Sequence, residues 1–258
     1  QSAARKLTIG TEAASIGNTL TITQGIFDTD SSNNYGVTIG GHIFGNGTFI
    51  ANDSTVTVAG QCAPANFELT AGSITSNDDF RPTTKTTIDG NGSITATGSS
   101  QMGGLFDIGA SNTPTLQAGR LHSSLDIPSG NQGQSTFNLA LNENQSNGPA
   151  RHVFFHNLTL DSEGTENNTY TMAGAITCTG NLTITDGIID TSSSNHALTV
   201  TGDVSVTGTL TGNASAISLG SLTIANGATV TAPSSSGSLT LTKDDTSQFL
   251  YETISGAT

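Results

Sequence analysis

The sequence predicts an all-β chain wound as a β-solenoid, a β-helix-like stack of short Gly/Thr/Ser-rich strands. Three observations carry this. Apolar residues alternate with Thr or Ser at period two, as in Leu20-Thr21-Ile22-Thr23 and Val56-Thr57-Val58, which marks strands with one buried and one wet face. Between them stand Asn46-Gly47, Asp89-Gly90, Asp186-Gly187 and Asn226-Gly227, which supply the positive-φ positions of sharp turns. The third observation is a phrase written twice. L-T-I-T-Q-G-I-F-D-T-D-S-S-N-N at 20–34 aligns with L-T-I-T-D-G-I-I-D-T-S-S-S-N-H at 182–196; one residue is then dropped, and 37–49 aligns with 198–210. Asp28-Thr29 meets Asp190-Thr191, and Gly47-Thr48 meets Gly208-Thr209. A hairpin of this kind cannot bury its apolar face alone and must stack on a neighbour like itself. The alternative is a pair of tandem β-sandwich domains, which also use short strands and frequent turns. Trp 0 and aromatics at 5% argue against their bulky inter-sheet core.

In chain order, an N-terminal β-repeat block covers 1–100, with alternating triplets at Leu7-Thr8-Ile9, Leu20-Thr21-Ile22, Val37-Thr38-Ile39, Val56-Thr57-Val58 and Ile94-Thr95-Ala96. Residues 101–150 break the rhythm and hold Pro114, Pro128 and Pro149. They read as an irregular insertion or side domain, the place where recognition would sit on a rigid scaffold. A C-terminal β-repeat block covers 151–258, through Leu182-Thr183-Ile184, Leu198-Thr199-Val200, Val204-Ser205-Val206, Leu222-Thr223-Ile224 and Leu239-Thr240-Leu241. Threonine suits the wet face because its β-branched side chain tolerates extended backbone. Nowhere does an i, i+3, i+4, i+7 pattern persist long enough for a helix.

Composition bounds the rest. Hydrophobic residues make up 33% and Gly numbers 31, which fits a long thin core of Val, Ile, Leu, Ala and Thr methyls. Low hydrophobicity with net charge also marks disorder, but here the charge is diluted among clear β segments. A net charge of −13 repels phosphates and anionic lipid, so nucleic acid and membrane drop out as partners. No apolar run reaches bilayer length, no secretory signal is seen, and a first residue Gln reads as a processed, truncated or incompletely observed chain. Cys62 and Cys178 form either one long-range bridge or two separate buried thiols.

No residue is assigned a catalytic, cofactor-binding or metal role. In His152-Val153-Phe154-Phe155-His156 an extended chain puts both histidines on the face of Phe154, Leu158 and Leu160, about 13 Å apart at ~3.3 Å per residue. That is too far for one metal ion, so they read as packing residues. Asp78-Asp79-Phe80-Arg81 and Asp28-Thr29-Asp30 gather carboxylates with only Arg81 at hand, and read as solvated turns. Asp89-Gly90-Asn91-Gly92-Ser93 resembles half a calcium loop without its closing acid, hence a tight turn. No cofactor is assigned, and the acidity leaves room for a structural calcium between coils. N-x-S/T triplets at Asn46, Asn52, Asn91, Asn144, Asn157, Asn167, Asn181 and Asn213 follow from composition.

The phrase L-T-I-T-D-G-I-I-D-T…L-T-V-T-G-D-V-S-V-T-G-T-L, with S-L-T-I-A-N-G-A-T-V after it, resembles the repetitive β-rich segments of phage virion proteins from aquatic environments and of large bacterial surface adhesins. The resemblance covers about 18–60 and 180–231. It implies a non-enzymatic structural protein on a virion surface, a capsid decoration or fibre component in symmetric assembly. Its partners would be other virion proteins such as the major capsid protein, copies of itself, or a host-surface glycan. Arg5-Lys6 and Asp244-Asp245 would then cap the ends or dock. A bacterial cell-surface adhesin is the second reading, and a polysaccharide lyase or hydrolase on a β-helix the third. The enzyme requires Asp and Glu to converge in a groove beside a Lys or Arg.

Overall fold

Leu7, Phe27, Phe49 and Phe67 lie side by side in one parallel sheet, each on a successive turn of the chain. That register is the mark of a β-solenoid, in which every coil lends a strand to each of several faces. The computed structural model describes residues 5–97, 101–121, 125–141, 145–146, 152–162 and 167–243. The chain divides into two units, residues 1–135 and 136–258.

Each unit is wound the same way, with three faces per coil. In the first unit one face stacks Ala14–Ile16, Val37–Ile39, Thr55–Val58, Ser73–Ser76, Ser93–Ala96 and Thr115–Ala118. A second, short face stacks Leu20–Thr21 on 43–45 and 62–64, then runs through Phe80 and Gln101–Met102 to Arg120–Leu121. The third stacks Lys6–Thr8, Ile26–Asp28, 48–50, 66–69, Lys85–Ile88 and Leu105–Ile108. Residues 101–135 thus add strands to these same three faces, ending in bridges from Leu105 to Asp126 and from Ile108 to Gln132.

In the second unit one face runs from Thr136–Leu141 through Asn157–Ser162, Leu182–Ile184 and 204–206 to 222–224. Another runs from Val153–Phe155 through Ile176–Cys178, 198–200 and 217–219 to Ser238–Leu241. The third runs from Gln145–Ser146 through Thr169–Thr171, Ile188–Asp190 and Thr209–Thr211 to Thr229–Thr231.

All these pairings are parallel, which excludes the antiparallel sheets of tandem sandwiches. The twice-written phrase is correspondingly not a hairpin. Leu20–Thr21 and Ile26–Asp28 lie on different faces and each pairs with the following coil, as do Leu182–Ile184 and Ile188–Asp190. The corner between them is set by Gly25 (φ 93°) and its counterpart Gly187 (φ 79°). A Cβ on Gly25 would collide with the Arg5 carbonyl oxygen, and one on Gly187 would lie 2.8 Å from the Asn168 carbonyl oxygen. These glycines therefore serve both the turn and the close approach of the neighbouring coil.

In-register stacking turns each inward position into a ladder. Val37, Val56, Ile74, Ile94 and Leu116 form one, and Tyr170, Ile189, Leu210 and Val230 another. The thickest is aromatic. Phe27, Phe49 and Phe67 stack with ring centroids 5.1 and 5.7 Å apart. The next position in register is Thr86, and Phe106 follows it. Phe80 reaches in from the short face to fill the gap, edge-on to Phe67 at 5.0 Å and tilted against Phe106 at 6.3 Å. Thr86 is wholly buried and its hydroxyl has no partner among the described residues.

Phe67→Ala should cost about 3–5 kcal/mol, read from urea unfolding, because rings on both sides lose their contact. Thr86→Val should instead stabilise by about 1 kcal/mol in the same measurement, since it removes an unsatisfied buried hydroxyl at nearly constant volume.

Candidate functional site

The polar chemistry is concentrated where coils turn from one face to the next. There the backbone leaves its ladder, and its N–H and C=O groups need other partners. In the first unit Asp28 and Thr29 end a strand just before such a corner. Asn52, one coil on, donates from Nδ2 to Asp28 Oδ1 (2.7 Å) and to Thr29 Oγ1 (3.3 Å). The Thr29 hydroxyl donates to the Ala51 carbonyl (2.7 Å), and Ser54 Oγ donates to Thr29 Oγ1 (2.8 Å). The Asp30 amide returns to Asp28 Oδ1 at 2.8 Å.

The same clasp recurs in the second unit. Asn213 Nδ2 donates to Asp190 Oδ1 (2.5 Å) and Thr191 Oγ1 (3.3 Å), and the Ser192 amide donates to Asp190 Oδ1 (2.8 Å). Asp30, Asn34 and Asn52 take positive φ in one copy, as do Ser192, Asn195 and Asn213 in the other. The structural counterpart of Asn34 is thus Asn195, so the dropped residue lies inside the corner loop rather than after it. Asn52 and Asn213 had drawn notice only as N-x-S triplets. They stand three residues past the aligned ends at 49 and 210 and keep the same offset, which is the signal the sequence offers.

Burial pushes the Asp28 carboxyl up, but the Lys6 ammonium, the Asp30 amide and the Asn52 amide outweigh it and hold the group below its ordinary value. Asp30, with amide bonds from Ser32 and Asn33, and Asp203, held by Lys243 and Ser221, are lowered too. A second corner carries a ladder of side-chain acceptors. Asn157 Oδ1 accepts the Asn181 amide (2.8 Å), and Asn181 Oδ1 accepts the Asp203 amide (2.9 Å). In the first unit His42 Nδ1 accepts the Gln61 amide (2.9 Å), and Gln61 Nε2 donates to Asp79 Oδ2 (3.2 Å).

The other residues singled out from sequence are spread apart. Asp78 is exposed while Asp79 is buried, and Arg81 approaches Asp79 Oδ2 at 3.6 Å. Asn91, in the half calcium loop, accepts the Thr113 amide at 2.9 Å. His152 stacks on Phe154 (centroids 4.1 Å) and meets Thr177 Oγ1 at 2.8 Å, whereas His156 meets Thr179 Oγ1 at 3.1 Å. The two imidazoles engage different threonines of the next coil. Leu158 and Leu160 do not share their face: both point inward, because the chain turns a corner at His156 and the parity restarts. Cys62 and Cys178 are two free, buried thiols; burial pushes Cys178 up to about 12 and raises Cys62 as well, so neither is a nucleophile at neutral pH. Among the described residues no group of three or more His, Cys, Asp or Glu is placed to hold a metal ion, and no helix is long and apolar enough to cross a membrane. Asp244-Asp245 and Asn144 lie outside the described residues.

Two faces carry no charged residue in their paired strand segments: one in the second unit, where Thr177, Thr199, Ser218 and Thr240 stand in register, and one in the first. On the first face of the first unit Thr38, Thr57, Thr75 and Thr95 stand in register, beside a second rank of Thr55, Ser73, Ser93 and Thr115. None of its strands contains a charged residue. The third face of the same unit carries Lys6, Asp28, Glu68, Lys85 and Asp107 instead. Comparison with known proteins finds no family model, curated protein or solved structure that matches the chain.

The clasp makes stability pH-dependent with a definite sign. The folded Asp28 pKa lies below the unfolded value, near 3.9, so its contribution is complete above that value and fades as pH falls through the folded one. Asp28→Asn should therefore destabilise at neutral pH. Its unfolding midpoint should converge on that of the parent below about pH 4.

Proposed function

We propose that the chain is a non-enzymatic structural protein of a virion surface, a capsid decoration or fibre component, which meets its neighbours through the uncharged hydroxyl face of the first unit. The observation that carries this reading is how the carboxylates are employed. Asp28 is held by Lys6 and Asn52, Asp79 by Gln61, Asp107 by Lys85 and Asn131, Asp190 by Asn213, and Asp203 by Ser221 and Lys243. In each case the partner belongs to another coil, so the acids serve as ties along the stack. A polysaccharide-cleaving site would need them converging in a groove beside a cation.

The setting on a virion follows from the likeness of the duplicated phrase to phage surface repeats, and the partners would be a capsid subunit or further copies of this chain. An uncharged hydroxyl face supports that reading, because covering it desolvates no ion.

Thr75→Arg, at the centre of the hydroxyl face, should leave the unfolding free energy within about 0.5 kcal/mol, as surface changes do. It should also lower incorporation into particles, read by mass spectrometry of purified virions and by antibody labelling in electron micrographs. Absence of the chain from purified particles, or its release of new ends from an acidic polysaccharide, would overturn the proposal.

A further inference from the structure

Three Asn-Gly pairs lie among the described residues, at 46–47, 91–92 and 226–227, and the fold treats them differently. We propose that Asn226 is a modification site, where the main chain itself converts the side-chain amide to aspartate and isoaspartate. The reaction needs the amide nitrogen of the following residue to reach the Asn side-chain carbonyl carbon. Glycine favours this because it has no side chain to hinder the approach.

Gly47 N is committed to the Ile22 carbonyl at 2.9 Å, and Gly47 is buried against Ile22 of the preceding coil. Gly92 N donates to the Thr70 carbonyl at 3.1 Å, Gly92 is buried, and Asn91 Oδ1 is occupied by the Thr113 amide at 2.9 Å. At 226–227 none of this holds. The pair forms the middle of an exposed turn closed by the Ala228 amide on the Ala225 carbonyl at 3.1 Å, with Gly227 at φ 84°. Gly227 N has no hydrogen-bond acceptor among the described residues, and a Cβ built on Gly227 would meet nothing within 4 Å. Asn226 is exposed, and its side chain has no partner among them either.

The chemistry closes with water alone. Gly227 N gives up its proton to solvent and attacks Asn226 Cγ. The new C–N bond forms, the C–NH₂ bond breaks, and ammonia leaves, giving a five-membered succinimide. Water then opens either ring carbonyl, to aspartate or to isoaspartate. Either product adds one negative charge at neutral pH. Isoaspartate also routes the main chain through the side-chain carbon, which lengthens the link between Ala216–Ile224 and Thr229–Thr231. The Thr229–Thr231 strand is seated on Thr209–Thr211, so its register is what this extra atom disturbs.

The test uses the whole chain, held folded for days at mildly alkaline pH in ¹⁸O-water and then digested for mass spectrometry. Label should enter the Asn226 peptide at least roughly tenfold faster than the Asn46 or Asn91 peptides, because a bonded, packed amide must open before it can react. Isoaspartyl methyltransferase should methylate the peptide that holds residue 226 in the aged parent and not in the Asn226→Gln variant. In denaturant the three rates should draw together. An intact Asn226 after ageing, three similar rates in the folded chain, or an order that persists in denaturant would each overturn the assignment.

Discussion

A single coil of this chain has no interior of its own, and everything else in the structure answers that fact. An inward side chain is covered only by its counterparts one coil before and one coil after, so consecutive strands must pair in parallel and in register. The phenyl ladder shows how strict the demand is. Where the register places Thr86 between Phe67 and Phe106, the volume is recovered by Phe80 from the neighbouring short face. The substitution is imperfect, since it leaves the Thr86 hydroxyl buried with no partner among the described residues. Filling space mattered more at this rung than satisfying one polar atom.

Stacking takes care of the strand backbone, but at each corner the ladder lapses and side chains take its place. The two clasps show one solution written twice, with Asp, Thr and the Asn of the next coil in the same relation. The copies have also diverged. Ser54 bonds to the Thr29 hydroxyl, while the corresponding Ser215 is buried and its hydroxyl has no partner among the described residues. A loop shortened by one residue leaves the clasp itself intact, because the positive-φ Asn at its end moves with the loop.

The sequence made the strands legible and left their partners hidden. Period-two alternation at Val37-Thr38-Ile39 or Leu198-Thr199-Val200 is a local property, and both triplets are strands with the expected face inward. What pairs with what is non-local. Gln24-Gly25 between two strands reads equally as a hairpin or as a corner leading to another face. Parity fails for the same reason: counting by twos from His152 to Leu160 crosses the corner at His156, where inside and outside exchange. Leu105–Ile108 and Thr115–Ala118 lacked the Thr-rich signature, yet they are stacked like the rest, since an inward apolar pair is all that a rung requires. The clasps were half visible, as conspicuous Asp-Thr pairs whose Asn partners sat a coil away.

What remains is why a chain with 20 acids and 7 cations should keep the strands of one face in each unit free of both. The acids could have been spread evenly; instead those of the first unit lie on its third face and at corners, several of them tied to the next coil. At physiological salt the repulsion between two such bodies is screened beyond about 8 Å, so net charge hardly opposes contact once they are close. Desolvation then decides which surfaces meet. Covering a carboxylate costs far more than covering a hydroxyl that can exchange its water for another hydrogen-bond partner. A regular array of Thr and Ser on a rigid sheet loses little freedom on contact, because Thr is β-branched and restricted at χ1 and Ser has a short side chain with few rotamers to lose. On the proposed reading the face is neutral for this reason: the ties that stiffen the stack are kept off the surface that neighbours cover.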